Sequence, residues 1–389
     1  MKKIIVFILL AGILCGLCAC GQKNTDIANT SHTEEANNHI DENGNPIQNA
    51  ETPFGKTGRS KSYKVFNKDT DLFCFNEKDY YFIDDYNDSI CKIDDPQSGT
   101  YSTVWHYDDG SIYGLIYYEN RIYFDISDTD ATWEICSIKC DGSDFKKLGS
   151  IEDVERFYCF EDGMLYLFDF HDTCYEVNLA QSEKQGTIVF TDLSQEGLYI
   201  LGVFEGYIYY YPAVDFNDVN KNCVELQRYR IKTGKFEKAC DLKYEDAVNL
   251  RKMDFTVGMI DSKLILSEVD SCPKSLDVRD GTVRDLMMDN FIYNEDGIII
   301  ISDKVIYYQS DKGDVYAFSR LDTATGTNEI IREFDDTFFT MTAAGDYIMF
   351  YFGWGDYPHR IVNINDSFYK IINLKLCELK KFDKIIKPK

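Results

Sequence analysis

The chain has 389 residues, with 66 acidic and 41 basic side chains, a formal net charge of -25 and an aromatic content of 15%. The excess of acid argues against a nucleic-acid-binding protein, because such proteins need basic residues against the phosphates. The aromatic content argues against a disordered acidic chain, since it provides ample apolar surface to bury. We therefore expect a folded acidic protein that has no nucleic-acid partner.

Residues 1–19 have the pattern of a lipoprotein signal peptide. Lys2 and Lys3 precede an uncharged apolar run that is too short to span a bilayer as a mature helix. The following Leu17-Cys18-Ala19-Cys20 resembles a bacterial lipobox, which implies cleavage before Cys20 and lipid attachment to its thiol. The alternative is an ordinary signal peptide with chance cysteines. We expect a protein held at the cell membrane by this lipid alone and facing the extracytoplasmic side.

Residues 20–60 are predicted to form the lipidated cysteine and a disordered tether. They are rich in Asn, Thr and Glu, and their few apolar residues have no periodicity. A flexible chain of this length reaches about 35 Å. Residues 61–389 are predicted to form the folded domain, which contains 60 acidic and 36 basic residues and therefore keeps nearly all of the net charge.

A short apolar strand preceded by a turn residue recurs seven times in residues 61–389. Its central positions are Tyr80, Ile122, Leu165, Ile208, Leu264, Val305 and Ile348, at intervals of 42, 43, 43, 56, 41 and 43. A period just above 40 with strand character is typical of a four-stranded propeller blade. The repeat predicts an all-β protein, a β-propeller with seven four-stranded blades. Six blades would follow if one repeat were spurious, and eight if one were lost in the long interval.

The second repeat shows the four predicted strands most clearly. They cover residues 111–118, 121–126, 133–138 and 145–148, and Asp141-Gly142 is a hairpin turn signal between the last two. Blades that pack face on face cover their inner strands on both sides and leave wide wedges between them. Tyrosine suits these wedges, because its ring packs while its hydroxyl reaches a polar partner.

This repeat resembles that of Firmicutes cell-surface propeller lipoproteins that carry a domain of unknown function (number 5050), and more distantly that of TolB-like propellers. The matching segments are Asn120-Arg121-Ile122-Tyr123-Phe124, Ile135-Cys136-Ser137-Ile138-Lys139, and Asp141-Gly142-Ser143-Asp144 followed by Leu148. The fourth and fifth repeats lack the Asp-Gly-Ser turn at the expected place. The resemblance implies a surface-anchored propeller and transfers no catalytic residue.

Ten cysteines follow Cys20, and an even number in an exported protein permits disulfides. Cys223 and Cys240 flank a hairpin whose predicted turn is Lys232-Thr233-Gly234-Lys235, so they are the best candidates for a bond. The alternative is that the cysteines are small buried apolar residues. Their spacing is not that of a zinc site.

Acidic residues follow the second strand of each predicted blade, and propeller geometry places all seven of these loops on one face. They are Asp84, Asp85, Asp88, Asp125, Asp128, Asp130, Asp169, Asp172, Asp215, Asp218, Glu268, Asp270, Asp311 and Asp356. Such a face would attract cations or a basic partner. Alternatively, Asp merely ends strands well and keeps the surface soluble. We select as candidate ligand-binding residues Asp125, Asp128, Asp169, Asp215 and Asp218.

Residues 353–359 supply the other candidates, namely Trp354, Asp356, Tyr357 and His359, a combination suited to stacking on a sugar or a protein. Alternatively, this loop plugs the central channel. Residues 215–220 offer oxygen ligands for Ca²⁺ but lack the Gly and distal Glu of an EF-hand, so calcium is a minor alternative to the absence of any cofactor. No common hydrolase, nucleotide-binding or metalloprotease motif is found.

These features predict a non-catalytic binding module at the cell envelope. The expected partner is a protein or a carbohydrate, bound by an acidic face that contains aromatic residues, and we expect a monomer. The sequence also permits two alternatives. One is an enzyme that acts on glycans or peptides with carboxylates at the channel mouth. The other is an envelope assembly scaffold.

Overall fold

The computed structural model describes residues 72–376, apart from 77, 85–87, 128–132, 152–153, 162, 170–173, 188–189, 193–197, 213–221, 251–254, 268–271, 292–298, 303, 312, 314, 335–339, 353–358 and 367–368. The described residues form seven antiparallel sheets of four consecutive strands, and a short extra strand joins the first sheet. They also form helices α1 (Leu179–Gln185) and α2 (Tyr244–Leu250) and a 3-10 turn (Ile231–Thr233). Neither helix is long and apolar enough to cross a membrane.

The sheets follow one another along the chain and are numbered here as blades one to seven. Blade one contains β1 Phe73–Phe75, β2 Tyr80–Asp84, β3 Ser89–Asp95 and β4 Thr100–His106. Blade two contains β5 Ser111–Tyr118, β6 Arg121–Ser127, β7 Trp133–Lys139 and β8 Lys146–Ile151. Blade three contains β9 Val154–Glu161, β10 Met164–Asp169, β11 Cys174–Asn178 and β12 Phe190–Asp192. Blade four contains β13 Leu198–Phe204, β14 Tyr207–Pro212, β15 Cys223–Arg230 and β16 Lys235–Lys243.

The remaining blades have the same order of strands. Blade five contains β17 Phe255–Ile260, β18 Lys263–Ser267, β19 Lys274–Asp277 and β20 Val283–Asp285. Blade six contains β21 Ile299–Ser302, β22 Val305–Asp311, β23 Tyr316–Asp322 and β24 Thr327–Phe334. Blade seven contains β25 Thr340–Ala344, β26 Tyr347–Tyr351, β27 His359–Asn363 and β28 Ile371–Asn373. The extra strand is β29 Lys375–Leu376, which runs parallel to β4.

The innermost strands of the seven sheets close into a ring. The first strand of each blade contacts the first strand of the next blade, and β25 of blade seven contacts β1 of blade one. This is the arrangement of a β-propeller with seven four-stranded blades, so the predicted fold and blade number are confirmed. Each blade is built from consecutive strands. Six joints between blades are therefore bridged by a connection from a fourth strand to the next first strand, whereas the joint between blades seven and one is crossed by the step from β28 to β29.

The register of the hairpin between the first and second strands shows which residue of a blade is the core position of the repeat. In blade two a two-residue turn brings Tyr118 opposite Arg121, and in blade six a turn of the same length brings Ser302 opposite Val305. The core position is the residue after this pair, so in blade six it is Ile306, which is fully buried. The sequence assignment to Val305 was therefore wrong by one residue. With Ile306 in that place the last two intervals are both 42 residues.

A column of tyrosines follows the core position in five blades. These side chains are among the most buried in the protein, and they are Tyr81, Tyr123, Tyr166, Tyr209 and Tyr307. Burial raises the pKa of the phenols of Tyr81, Tyr123, Tyr209 and Tyr307. All five rings pack in the hydrophobic clusters of the propeller. The hydroxyls reach polar groups at the edge of the wedge, as where Tyr166 donates to Oε2 of Glu176 at 3.3 Å. The role predicted for the tyrosines is confirmed at these positions.

Ion pairs clamp the joint between blades two and three. The Nε atom of Arg121 lies 2.7 Å from Oε1 of Glu183 on α1, and its Nη1 atom lies 2.9 Å from Oδ2 of Asp144. Lys146 makes a second contact with Glu183, at 2.5 Å. The side chains of Arg121 and Glu183 are 10% and 14% exposed, so water screens this pair only weakly.

The joint between blades seven and one is closed by packing and by β29. Rings of Tyr80 and Tyr347 meet edge to face across it at 5.1 Å. The chain then leaves β28 and crosses to blade one, where the amide of Lys375 donates to the carbonyl of Gly99 at 2.7 Å. Between the two strands Leu374 is 3% exposed and packs in the core cluster of blade one. We call the segment Leu374–Leu376 the C-terminal staple.

The connections between strands emerge at two ends of the ring. The lower end carries the hairpins between first and second strands and between third and fourth strands. The upper end carries the connections between second and third strands and those that lead from one blade to the next. Because each sheet is an antiparallel meander, all connections of one kind share one end. Asp88, which the structure describes in the connection between β2 and β3, therefore lies at the upper end.

Candidate functional site

The described connections at the upper end contain acidic residues and no lysine or arginine. These residues are Asp88, Asp108, Asp109, Glu245, Asp246 and Asp289, and none of them is buried. The described connections at the lower end carry both signs of charge. There Lys78, Lys184, Lys232, Arg279, Lys304 and Lys370 are interspersed with acids. Among the described connections, those at the upper end therefore present acidic charge to solvent, whereas those at the lower end present both signs.

Two of the predicted acids do not belong to this surface. Asp84 is the last residue of β2 and Asp125 lies inside β6, opposite Tyr113 and Ile135. Each is 3% exposed. The expectation that they lie in exposed loops is wrong, because both second strands extend further than their apolar runs. Asp169 ends β10, and Asp128, Asp215 and Asp218 lie outside the described residues, as does the Ca²⁺ loop considered above.

His359 also differs from its expected place. It is the first residue of β27, pairs with Tyr351 and is 1% exposed, so it does not reach a ligand at the surface. Its ring lies 5.0 Å from the ring of Phe82 in blade one and 5.1 Å from that of Tyr351. Its predicted companions Trp354, Asp356 and Tyr357 lie outside the described residues. His359 is thus part of the joint between blades seven and one.

Burial dominates the electrostatics of His359. It lowers the pKa of the ring from 6.5 to about 4, while the carboxylate of Asp84 and the carbonyl of Ile83 act in the opposite direction. Both ring nitrogens are enclosed and make no hydrogen bond of normal geometry, so the Ile83 carbonyl is a neighbour rather than a well-aligned acceptor. The ring is therefore neutral at pH 7 and sits in a dry, largely aromatic environment.

A row of polar side chains crosses blade one beside this histidine. The strand register aligns Asp84 with Ser89 and Ser89 with His106, so the three share one face of the sheet. Ser89 Oγ lies 3.0 Å from Nδ1 of His106, and Nε2 of His106 lies 3.0 Å from Oδ1 of Asp108. In the same region burial raises the pKa of Asp88, and His106 and a hydrogen bond from Ser111 oppose this effect. The row leads from the interior to the acidic upper end.

Asp84, Ser89 and His106 are the residue types of a hydrolase catalytic triad, but the serine is not accessible to a substrate. Ser89 lies in a strand and is 3% exposed, so a substrate carbonyl has no path to its hydroxyl. Tyr101 adds a long contact from its hydroxyl to Oδ2 of Asp84 at 3.5 Å, deeper in the same face. Within the described part of the chain, no group of three or more His, Cys, Asp or Glu side chains has the geometry of a metal site.

The cysteine pair singled out from the sequence is not bonded. The turn between β15 and β16 forms near the predicted place, with Gly234 in the left-handed conformation. The register, however, puts Cys223 opposite Lys243 and Cys240 opposite Leu226, three positions along the ladder. Cys223 is exposed and Cys240 is buried, so the two thiols project from opposite faces of the sheet. This corrects the predicted disulfide. Cys91 and Cys136 are buried free thiols, as the alternative required, and Cys74 is also buried.

Comparison with known proteins identifies the fold and no family. No family model and no curated protein matches the chain. A solved structure of puromycin hydrolase matches with a TM-score of 0.50 and 10% identity, over 82% of this chain and 56% of that one. The chain is a β-propeller. The extracellular domain of the putative one-component system BT4673 from B. thetaiotaomicron matches with a TM-score of 0.47 and 13% identity, over 77% of this chain and 40% of that one.

TolB from Acinetobacter baumannii is a further propeller among the matches, with a TM-score of 0.37 and 14% identity over 63% of this chain and 61% of that one. The chain spans about half or less of the length of the first two proteins. At these identities the similarity concerns the fold alone.

The sequence did not predict the residues that the structure adds to the site. Ser89, Tyr101 and His106 join Asp84 only through the pairing of β2, β3 and β4. The acids in the connections between blades, such as Asp109 and Glu245, were also missed. A signal for the latter was present, because connections that lead to the next blade emerge at the same end as those that follow the second strand.

Proposed function

We propose that this protein is a lipid-anchored, extracytoplasmic propeller that binds a protein or carbohydrate ligand at its upper end. The observation that carries the proposal is the difference in charge between the two ends of the ring. Every charged residue that the structure describes in the upper connections is acidic, while the lower connections are mixed. An acidic surface attracts ligands that carry cationic groups and accelerates their encounter.

The closed ring supports this proposal because its strands form a platform for the connections at the upper end. Connections from seven blades converge there, and each is held at both of its ends by strands of the ring. Binding residues on loops that a rigid scaffold positions are a recurrent arrangement in proteins. The lipobox at Cys20 and the tether through residue 60 would hold this platform away from the membrane surface.

The location of the binding surface can be tested with two matched variants of the full-length chain. One replaces three exposed upper acids (Asp109→Asn, Glu245→Gln, Asp289→Asn), and the other replaces three exposed lower acids (Glu119→Gln, Glu205→Gln, Asp261→Asn). Both variants lose the same amount of charge. Immobilised proteins are incubated with an envelope extract and with a glycan array at low salt.

We expect the upper variant to lose the ligand that the unmodified protein and the lower variant retain. Retention should also fall as salt rises, because exposed charges are screened. Equal binding by both variants would show that the acidic end is not the binding surface. The anchor is tested separately by Cys20→Ala, which we expect to move the protein from the detergent phase to the aqueous phase.

A further inference from the structure

At the joint between blades seven and one no connection leads from the fourth strand of one blade to the first strand of the next. In the described chain the C-terminal staple crosses this joint and pairs with the outer edge of β4. At each of the other six joints the fourth strand of one blade leads directly into the first strand of the next. These connections range in length from two residues, between β8 and β9, to thirteen residues, between β20 and β21. Blades seven and one can separate once their packing and the C-terminal staple give way. The ring can therefore open at this joint without extending a connection from a fourth strand to the next first strand.

A single titratable ring from blade seven is enclosed at this joint by blade one. His359 is 1% exposed and lies 5.0 Å from Phe82. On the side of blade one the titratable group that acts on it is Asp84 on β2, and Cys91 on β3 and Tyr101 on β4 lie near that carboxylate. From its own blade Tyr351 packs against the ring. Within the described chain, Asp84 is the charged group whose field acts on His359.

Burial of the His359 ring disfavours its protonated, charged form relative to its neutral form. A cation in a dry interior loses its hydration, and one carboxylate restores only part of that loss. In the closed joint the pKa of His359 is about 4. In an open joint, where water reaches the ring, the pKa returns to the ordinary value of about 6.5. Protons therefore bind more tightly to the open joint than to the closed one.

We propose that His359 makes the joint between blades seven and one an acid-sensitive latch. Protonation of its ring in a mildly acidic medium opens this joint and leaves the other six closed. The polar row through Ser89 and His106 leads from Asp84 to exposed Asp108, and water and protons would enter along this row when the joint loosens. Opening the ring here would also separate the upper connections of blade seven from those of blade one.

The direction and size of the pH effect follow from the linkage between proton binding by His359 and opening of the joint. Since the pKa is lower in the closed joint, closure is fully favoured above pH 6.5 and weakens as the pH falls toward 4. With these two pKa values the opening equilibrium rises about 30-fold between pH 7.5 and pH 5. Below pH 4 both states carry the proton, and His359 adds no further change.

Hydrogen exchange of the full-length chain, read by mass spectrometry, tests the proposal. Exchange rates at pH 7.5 and pH 5 are corrected for the intrinsic effect of pH on amide exchange. Peptides from β2, β4 and β26 report on the latch, and peptides from β15 and β18 report on the joint between blades four and five. The variants are His359→Phe, which keeps an aromatic ring beside Phe82, and His106→Gln. The latter removes a histidine of the same region that is 46% exposed.

We expect the corrected opening of the latch peptides to rise roughly 30-fold in the unmodified protein and in His106→Gln, and less than about twofold in His359→Phe. Peptides from blades four and five should not change. A uniform rise over all blades, or an equal rise in His359→Phe, would overturn the proposal. Should His359→Phe fail to fold, NMR titration of the imidazole resonances of the unmodified protein decides. A midpoint for His359 below pH 5 supports the latch, and one near 6.5 refutes it.

Discussion

Replacement of Gly99 by alanine would test how the C-terminal staple holds the ring closed. Gly99 ends the turn between β3 and β4 with a φ of +73°, and its amide donates to the carbonyl of Asp95 at 2.9 Å. Asn373 passes so close that a methyl group on residue 99 would overlap its carbonyl oxygen. Gly326 in blade six is a matched control. It has a φ of +71° and the same turn, and nothing lies within 4 Å of where its methyl group would be.

Both substitutions place an alanine in a left-handed backbone conformation, and only Gly99→Ala also creates a steric overlap. A left-handed conformation costs an alanine about 1 to 2 kcal/mol, and this applies equally to both positions. At Gly99 the overlap with Asn373 also displaces the staple. The protein would then lose the hydrogen bond from Lys375, about 1 kcal/mol, and the burial of Leu374, about 2 kcal/mol. We therefore expect Gly326→Ala to cost about 1 to 2 kcal/mol, and Gly99→Ala about 4 to 5 kcal/mol.

Equilibrium unfolding in urea, followed by circular dichroism, measures both free energies. Gly99→Ala should also increase the hydrogen exchange of β4, whereas Gly326→Ala should leave β4 unchanged. If the two substitutions destabilise the protein equally, the staple does not bear on Gly99, and its assigned role in closing the ring is wrong.

The remaining predictions concern the clamp between blades two and three and the state of the cysteines. Glu183→Gln should lower the free energy of unfolding by about 2 to 3 kcal/mol, because Arg121 loses a nearly buried partner. Glu134→Gln, which removes an exposed partner of a lysine, should cost less than about 1 kcal/mol, and equal losses in urea would contradict the clamp. A thiol reagent at pH 8 should modify Cys223 and spare Cys240, whose pKa burial raises to about 11. Peptide mapping that finds the two residues joined would refute their separation.

The fold was predictable from the sequence because its main determinants are local. In blade two the predicted strand over residues 111–118 matches β5 completely, and the second and third strands differ by one residue at their ends. Tight turns and continuous apolar runs mark these strands, and neither depends on distant contacts. The one error of phase, at Val305, arose because Val305 and Ile306 are both β-branched and apolar. Only the hairpin register distinguishes them.

The candidate site was less predictable because it depends on where strands end and what covers them. Asp84 and Asp125 look like loop residues in the sequence, yet each remains in its strand and is buried. His359 follows a segment rich in Gly and aromatic residues, but pairing with Tyr351 draws it into the sheet. Its burial depends on Phe82, which is far away in the chain. The apolar pattern around a residue does not reveal which blade will pack on it.

The construction of each blade from consecutive strands has a consequence for the order of assembly. The chain is synthesised from its amino terminus, so the first four strands of blade one are available once His106 has emerged, long before blade seven exists. The face that bears Phe82 and Asp84 must remain exposed until β27 is made. Leu374, which completes the core of blade one, is among the last residues of the described chain. A nascent or truncated chain would thus present an open, apolar first blade, and for chaperones and proteases that surface would distinguish unfinished molecules from finished ones.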